Sequence, residues 1–483
     1  MRLSSVLFSL GLVLLFMAAA MLFPLAWSVY YQDGSSSGIL ISFSISAAVG
    51  LALVLTNPKP EELAIHESFA IVTLGWLACG LFGCLPFVLT GTLPSFTDAF
   101  FETVSGFTTT GASVLNDIES VPKGILFWRS LTHWLGGMGI IVLSLALLPV
   151  MGVGGMQLYK AEIPGPVPEK LAPRISQTAK LLWLLYAGLS AAETVALMLA
   201  GMDLFDALCH TFGTMATGGF STHNRSIAYF GPAVQWIIIV FMLLAGSNFA
   251  LHYRALQGKP SCYWKSEEFR FYLVVIVGSA LLLLAMRILD PAWQSHSSLA
   301  DDLRDVFFQS ASITTTTGFV TADFEQWPPA AQFLLLLLMF FGGCAGSTGG
   351  SVKMMRVLVL LKQGIAEMRK LLHSRAVVPV RLDGQRVSSD LILNILGFTF
   401  LYLLVFSLGT LLMSLMGLDL ISAVSSVAAT LGNVGPGLGC VGPTDNYAQL
   451  PALGKWLLSF LMVLGRLEIY TVLVLFTRDF WRR

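Results

Sequence analysis

Four clusters of threonine and glycine in this sequence could bind a cation, because they offer hydroxyl and carbonyl oxygens on a permissive backbone. They lie in four segments with one plan: an aspartate or serine, a short apolar run, and a Thr/Gly cluster. In each segment a glycine stands thirteen positions after the first residue. The segments run from residue 98 to 111, 206 to 219, 305 to 318 and 422 to 435. Four matches in register predict an internal structural repeat.

Each part of the repeated segment has a physical role. We expect its first residue to be the N-cap of a helix, which gives Asp98, Asp206, Asp305 and Ser422. The apolar run that follows predicts a helix about 16 Å long at 1.5 Å per residue. Such a helix crosses half of a bilayer and must be re-entrant. Its C-terminal end carries the negative pole of the helix dipole and would stabilise a cation.

The Thr/Gly clusters then predict non-helical backbone at membrane depth, which is tolerated only when buried or lining an aqueous path. Four such loops around one axis would replace the hydration shell of a potassium ion with oxygens. The alternative is that small residues serve only helix packing, which four registered loops disfavour. Four residues share one position in the repeat: Glu102, His210, Gln309 and Ser426. We favour polar packing behind the loops as their role.

The composition indicates that lipid surrounds most of this chain. Of its 483 residues, 55% are hydrophobic and 12% are charged, whereas soluble domains carry about 25% charged residues. Apolar runs such as Val6–Trp27 and Ile39–Thr56 are long enough to cross a bilayer, and we expect about ten spans. Because the first run continues past Ala18–Ala20, we expect an uncleaved spanning helix and not a signal peptide.

The charges predict an orientation but no catalytic chemistry. The formal net charge is zero, so the total gives no information about nucleic-acid or acidic partners, and no nucleic-acid partner is expected. Basic residues concentrate in alternate loops, notably from Lys362 to Arg386, so these loops and the N-terminus are predicted to be cytoplasmic. The four Thr/Gly loops then lie near the outer face. Six cysteines and seven histidines show no metal spacing, so neither a metal cofactor nor an enzyme is expected.

These features predict an all-α integral membrane protein. We expect four units of helix, re-entrant half-helix, loop and helix around one pore, preceded by a two-helix hairpin. The predicted division is residues 1–66 for the hairpin, and 67–175, 176–267, 268–387 and 388–483 for the four units.

Two further features could regulate such a pore. Five glycines between Gly342 and Gly350 disfavour a helix, so they predict either a kink or an intramembrane loop in the third unit. Arg466 lies within the last apolar span, where a cation is costly unless paired or hydrated. It is therefore either functional or a structural partner of a carboxylate such as Glu468, and both can hold.

Several segments carry a resemblance to a known family: Gly137-Met-Gly-Ile-Ile, Gly152-Val-Gly-Gly-Met-Gln-Leu-Tyr, Gly219-Phe-Ser-Thr-His, Gly343-Cys-Ala-Gly-Ser-Thr-Gly-Gly350 and Gly465-Arg-Leu-Glu468. With the Thr/Gly loops, they resemble the TrkH family over essentially the whole chain. These are the membrane subunits of bacterial Trk potassium uptake systems, in a superfamily with KtrB and the plant HKT transporters. The resemblance implies potassium uptake across the bacterial inner membrane.

The resemblance also assigns roles to residues. In that family, serine at the position of Gly111 tends to accompany sodium selectivity. The glycine at this position therefore implies a preference for potassium. The implied filter consists of the landmark glycines and the two residues before each: Thr109, Thr110 and Gly111; Thr217, Gly218 and Gly219; Thr316, Thr317 and Gly318; Asn433, Val434 and Gly435. The fourth loop departs most, with Asn433 in place of threonine. The implied gate beneath the filter consists of Gly343, Gly346, Ser347, Thr348, Gly349, Gly350 and Arg466.

Assembly and energetics follow from the same resemblance. It implies a homodimer controlled by a cytoplasmic ring of TrkA-type nucleotide-binding subunits. The chain has no phosphate-binding GxxxxGK[ST] motif, so nucleotide regulation must come through that partner. The alternative function is an ion-coupled symporter for K⁺ or Na⁺. Such transporters use inverted repeats and midplane carboxylates, whereas acidic residues within the spans here are few, such as Glu193 and Glu468.

Overall fold

The computed structural model describes residues 2–60, 63–137, 139, 175–290, 298–373 and 378–481. Within these residues the chain is helical throughout, apart from its loops and one antiparallel pair of two-residue strands, Arg381–Leu382 and Gln385–Arg386. The segment Gly152–Tyr159, quoted above for its family resemblance, lies outside the described residues, as does most of the segment that begins at Gly137.

The N-terminal hairpin consists of the helices Leu3–Ala20, Leu22–Tyr31 and Ser36–Thr56. The first and third are in close contact: a Cβ atom on Gly11 would lie 2.8 Å from the carbonyl oxygen of Gly50, an approach typical of small residues in membrane helices. Asp33 connects the hairpin to the first unit by accepting the Gly124 N–H at 2.7 Å. Burial opposes its ionisation, but its hydrogen bonds prevail and hold the pKa of Asp33 below its usual value.

Four units follow, each with the predicted order of helix, half-helix, loop and helix. The first helices are Ile65–Gly83 (continued by Leu85–Leu89), Ile175–Leu199, Glu267–Leu289 and Ser389–Leu415. Half-helices 1 to 4 are Phe96–Phe107, Leu204–Met215, Leu299–Thr314 and Leu420–Leu431. The second helices are Lys123–Gly137, Pro232–Ala245, Pro329–Leu338 and Ala452–Arg466. The second helices of units 1, 2 and 4 also pack against the half-helix of the next unit, with unit 4 returning to unit 1.

The predicted N-caps are wrong, because each half-helix begins earlier than expected. The caps are Ser95, Asp203, Ser298 and Asp419, and each accepts the N–H of the residue three positions later. Asp98, Asp206 and Ser422 therefore occupy the third helical position, and Asp305 lies two turns into half-helix 3. A cap followed three residues later by another polar residue is a common helix start, so the true start was present in the sequence.

The second helices of units 2, 3 and 4 are broken, although only the third was expected to be. Pro232–Ala245 turns through 99° into Phe249–Leu256, and Ala452–Arg466 turns through 110° into residues 470–476. In unit 3 a loop separates Pro329–Leu338 from Met354–Leu372. Among the described residues, six helices are long and apolar enough to span a membrane, or up to eight with the bent pairs, against the expected ten or so.

The remaining described elements are short. They are the helices Cys262–Lys265, Tyr470–Leu473 and Arg478–Trp481, and the 3-10 turns Ser226–Tyr229, Phe324–Gln326, Gly439–Val441 and Val474–Phe476.

Candidate functional site

The four Thr/Gly loops share one backbone conformation. The residue two positions before each landmark glycine has a positive φ: 53° at Thr109, 55° at Thr217, 59° at Thr316 and 53° at Asn433. The glycines follow with φ of 82° at Gly111, 78° at Gly219, 81° at Gly318 and 105° at Gly435. Positive φ is unusual for threonine, whose branched Cβ makes it strained. Strain repeated at three equivalent threonines indicates a functional constraint.

Each loop is also closed by the same backbone hydrogen bond, made to its own half-helix by the residue before the landmark glycine. Thr110 donates to the Ser105 carbonyl at 2.9 Å, Gly218 to Gly213 at 2.8 Å, Thr317 to Ser312 at 2.8 Å and Val434 to Ala429 at 2.7 Å. The fourth loop therefore keeps the backbone geometry although its side chains differ. Asn433 uses its amide to donate to the Thr110 hydroxyl at 2.9 Å.

The landmark glycines join the four loops into a closed ring. A Cβ atom on Gly111 would lie 2.1 Å from the carbonyl oxygen of Gly218, and one on Gly219 would lie 2.1 Å from that of Thr317. A Cβ atom on Gly318 would lie 2.0 Å from the carbonyl oxygen of Val434, and one on Gly435 would lie 2.6 Å from that of Thr110. Each glycine thus touches the carbonyl that precedes the glycine of the next loop, and the fourth returns to the first. All twelve predicted filter residues are brought together around one axis, with the C-terminal ends of the half-helices beside them.

Three of the four residues at the shared polar position bind the chain that leaves their loop. Glu102 accepts the Val114 N–H at 2.8 Å. His210 Nε2 lies 2.9 Å from the Ser221 hydroxyl, and Gln309 donates to Thr321 at 3.5 Å. In the fourth unit Ser426 bonds within its own half-helix.

Arg129 supports the ring from behind, and the sequence reading missed it. Its guanidinium donates to Glu102 at 2.6 Å and to the Ser221 carbonyl at 2.9 Å, and it lies 3.6 Å over the Phe220 ring. Both members of the Arg129–Glu102 pair are buried. The sequence did contain a signal for Arg129, because an arginine within an apolar span is a functional candidate by default. The same argument had singled out Arg466.

The glycine-rich segment of unit 3 is a loop, residues 342–352, that packs against this ring; we call it the intramembrane loop. The Thr348 hydroxyl donates to the carbonyl of Met215, the last residue of half-helix 2, at 3.0 Å. The Gly350 N–H donates to the Thr316 hydroxyl at 2.6 Å. A Cβ on Gly350 would lie 2.6 Å from the Gly432 carbonyl, next to half-helix 4. The loop therefore reaches the C-terminal ends of three half-helices.

The other predicted gate residues shape this loop. Gly346 has a φ of 74°, and its carbonyl accepts the Phe249 N–H at 3.1 Å. The Ser347 hydroxyl bonds back to Cys344. Lys353, which is 2% exposed and which the sequence reading missed, donates through Nζ to the Gly349 carbonyl. Gly343 and Gly349 are in contact, since a Cβ on Gly349 would lie 3.0 Å from the Gly343 nitrogen.

Arg466 links the intramembrane loop to the first unit. Its guanidinium donates to the Thr348 carbonyl at 2.8 Å and to the carbonyls of Gly136 and Gly137 at 2.8 and 3.0 Å. With Arg466, the intramembrane loop is connected to all four units. Arg466 thus makes charge-assisted hydrogen bonds to backbone oxygens, which lower the cost of burying its charge.

Glu468, the expected carboxylate partner of Arg466, forms its ion pair with Arg356 at the start of helix Met354–Leu372. It lies in the break after Arg466, where Glu468 and Ile469 have φ of 56° and 57°. This pair therefore connects the bend of the last helix to the helix that follows the intramembrane loop.

These features define a multi-pass membrane transport protein: four repeated half-helices point at one ring of oxygens, and a loop crosses beneath it. Residues 35–482 match the model of the TrkH family, described as a cation transport protein. The chain is 43% identical to the Trk system potassium uptake protein TrkH of Escherichia coli K12, with 98% of each covered. It is 42% identical to the TrkH of Halomonas elongata, with 100% of each covered.

A solved structure is similar in fold as well. The crystal structure of the potassium transporter TrkH from Vibrio parahaemolyticus superimposes with a TM-score of 0.89, at 40% identity and with 100% of both chains covered. The chain belongs to the TrkH family, and it is a transport protein and not an enzyme.

Proposed function

We propose that this protein carries potassium ions across the bacterial inner membrane through a gated, channel-like pore. The four Thr/Gly loops act as its selectivity filter, and the intramembrane loop acts as its gate. Potassium is the bound and transported ion, and the chain itself needs no cofactor. Relatives that are named potassium uptake proteins and are 42–43% identical over 98–100% of the chain support the choice of ion.

The closed ring of glycine-to-carbonyl contacts carries the proposal. It gathers the backbone oxygens of Thr110, Gly218, Thr317 and Val434 around one axis. Oxygens arranged in this way can replace the hydration shell of an ion. The negative ends of four half-helices beside the ring stabilise a cation and repel an anion.

The contacts of the intramembrane loop support its role as the gate. It crosses the inner side of the ring and bonds to Met215 and Thr316, so it blocks the path of an ion that leaves the filter. Arg466 and Lys353 bind successive carbonyls of the loop, those of Thr348 and Gly349. Their positive charges add an electrostatic barrier beneath the filter.

Uptake of radioactive rubidium into liposomes containing the full-length protein tests the pore. We expect uptake driven by the cation gradient alone, competed by K⁺ more strongly than by Na⁺. If uptake is absent from the protein alone, the partner subunit and nucleotide are added. Failure of flux under both conditions contradicts the proposal.

One observation favours the symporter as the second candidate. Glu193 is fully buried in the span Ala179–Leu199, and among the described residues its carboxylate makes no well-formed hydrogen bond, although the Thr214 hydroxyl lies beside it. A carboxyl group in such a place can carry a proton. Rubidium uptake that requires a pH gradient in the wild type, but not in Glu193→Gln, would favour a proton-coupled symporter over the channel-like pore.

We further infer a homodimer controlled by a cytoplasmic ring of TrkA-type nucleotide-binding subunits, as the family resemblance implies. The basic residues between Lys362 and Arg386 offer a contact surface for such a ring. The division into a hairpin, residues 1–66, and four pore units remains part of this proposal. Mass measurement of the purified protein, with and without the partner and nucleotide, tests the assembly.

A further inference from the structure

A cavity of about 730 Å³ opens behind the intramembrane loop, on the side of the molecule that carries the basic loops. Its walls come from the start of helix Glu267–Leu289, from the hairpin of strands Arg381–Leu382 and Gln385–Arg386, and from the start of helix Ser389–Leu415. Ala345 of the intramembrane loop and Met355 form its inner end. Whatever fills this cavity therefore touches the loop that we propose as the gate.

Three basic residues line the cavity: Arg254, Lys265 and Arg386. Within the residues that the structure describes, the side chains of Lys265 and Arg386 form no ion pair. Long helices also begin at the rim, where Ser266 and Ser388 are N-caps, and the positive ends of their dipoles add to the field. A concave site with positive charge on several walls attracts an anion.

The two carboxylates that line the cavity are already occupied by backbone donors. Glu268 Oε1 accepts the N–H groups of Ala345 at 2.6 Å and of Met355 at 3.0 Å. Asp383 Oδ1 accepts the Glu267 N–H at 2.7 Å. Glu268 thus holds the intramembrane loop and the start of the following helix together. Lys265 and Arg386 therefore retain capacity to bind a ligand, whereas one oxygen of each carboxylate is committed to the fold.

The cavity also has an apolar side, formed by Leu251, Leu382 and Leu391. Leu256 and Trp264, in the chain segment beside it, are 76% and 68% exposed. Tryptophan in such a position is typical of the boundary between lipid and water. The occupant should therefore combine an anionic head with an apolar part and reach the site from the membrane surface.

We propose that this cavity binds the phosphate headgroup of an anionic phospholipid, and that the bound headgroup holds the intramembrane loop across the pore. The phosphate lies among Lys265, Arg386 and Arg254, and bridges the hairpin to the helices that carry Glu268 and Ser388. Removing the phosphate leaves those cations to repel each other and loosens the wall that Glu268 fastens to Ala345. The regulatory half of this proposal rests on the proposed function, but the binding half does not.

Binding is measured on the full-length protein in neutral detergent, by native mass spectrometry with added phosphatidylglycerol. The variant is Lys265→Gln/Arg386→Gln. The matched control is Lys259→Gln/Arg270→Gln, which removes two exposed cations from the same region but outside the cavity. We expect the cavity variant to bind phosphatidylglycerol at least about tenfold more weakly, given the contribution of each basic residue near an anionic lipid. The control should match the wild type.

Equal loss in both variants, or no loss in either, overturns the site. Inorganic phosphate and a nucleoside diphosphate serve as the soluble arm of the same measurement. If they bind in the cavity and phosphatidylglycerol does not, the lipid source is overturned and the phosphate site stands. Phosphatidylcholine, which is zwitterionic, should bind equally to all three proteins.

Rubidium influx into vesicles tests the effect on the gate. We expect wild-type influx to be several-fold lower in vesicles with phosphatidylglycerol than in phosphatidylcholine alone, and the cavity variant to lose this difference. A lipid effect that persists unchanged in the variant overturns the regulatory half. If the wild type conducts in neither vesicle, with or without the partner subunit and nucleotide, the proposed function fails, and the binding measurement still decides the cavity.

Discussion

The ring of four Thr/Gly loops and the intramembrane loop face each other, but they are held by contacts of different range. In the ring, each loop is closed by a bond to its own half-helix five residues away, as from Thr110 to Ser105. The intramembrane loop depends on distant partners: Thr348 bonds to Met215, 133 positions away, and Ala345 to Glu268, 77 positions away. Each Thr/Gly loop is therefore shaped by its own half-helix before the glycine contacts join it to the ring, whereas the intramembrane loop is held in place by distant residues.

This difference indicates which region can move. A Thr/Gly loop cannot leave its place without losing the hydrogen bond that ends its half-helix and the glycine contact with the next loop. The intramembrane loop can leave by exchanging side-chain and carbonyl contacts for water, while its flanking helices remain intact. The range of the contacts therefore supports our proposal of a fixed filter and a movable gate. The predictions below test the two regions separately.

Deletion of residues 343–350 should have the largest effect. It removes every loop contact with the half-helices and leaves the ring and its local bonds. We expect rubidium flux to rise by about one to three orders of magnitude, as when a minor open state becomes dominant, and to become insensitive to any partner. The preference for K⁺ over Na⁺ should be unchanged in this variant. Flux that stays low in a correctly folded deletion variant would mean that the loop is not the barrier.

Gly111→Ser should alter the ring and leave the gate intact. The new Cβ would lie 2.1 Å from the Gly218 carbonyl oxygen at a φ of 82°, so one oxygen of the ring must shift. We expect the K⁺/Na⁺ permeability ratio to fall about tenfold, a difference of about 1.4 kcal/mol between the two ions.

Gly91→Ser is the matched control, since Gly91 has a φ of 74° and open space around it. It carries the same backbone strain without the contact, and selectivity should not change. Unchanged selectivity in Gly111→Ser, measured in reconstituted vesicles, would remove the assignment of this glycine.

The same division between local and distant contacts decided what the sequence could predict. The spacing of thirteen residues located the four half-helices and their loops, because these depend on nearby residues. Three N-caps were placed too late because the polar residue at the third helical position was taken for the cap, and the remaining one because Asp305, two turns into its helix, was taken for it.

The bend after Ala245 was missed although Asn248, an N-cap residue, begins the next helix there. The bend after Arg466 was missed because the partner of Glu468, Arg356, lies far along the chain. Nothing local signals a positive φ at Ile469, a branched residue that normally avoids it.

Arg466→Lys should have a moderate effect on the gate alone. Lysine keeps the charge but cannot reach the carbonyls of Thr348, Gly136 and Gly137 together as the arginine fork does. Losing one hydrogen bond worth about 1 kcal/mol should raise basal flux about fivefold.

Arg478→Gln, an exposed change in the last helix, is the control and should leave flux unchanged. Arg466→Gln should be leakier than Arg466→Lys if charge adds to the barrier. Equal leak in the two would assign Arg466 a purely structural role.

Thr109→Gly should have the smallest effect, on stability. Thr109 adopts a φ of 53°, and its hydroxyl has no hydrogen-bond partner among the described residues. Glycine accepts this conformation without strain, so the substitution should relieve about 1 kcal/mol that offsets the lost burial of the side chain. Thr110→Gly is the comparison, because it relieves no positive φ and loses the hydroxyl contacts with Thr108 and Asn433.

Thermal unfolding in detergent should therefore leave Thr109→Gly close to the wild type and place Thr110→Gly clearly below it. If strain at Thr109 serves selectivity, Thr109→Gly should at the same time admit more Na⁺. A stable variant with altered selectivity would mean that the ring uses backbone strain to hold its oxygens in place. Equal destabilisation of both variants would mean that the threonine side chains matter chiefly for packing.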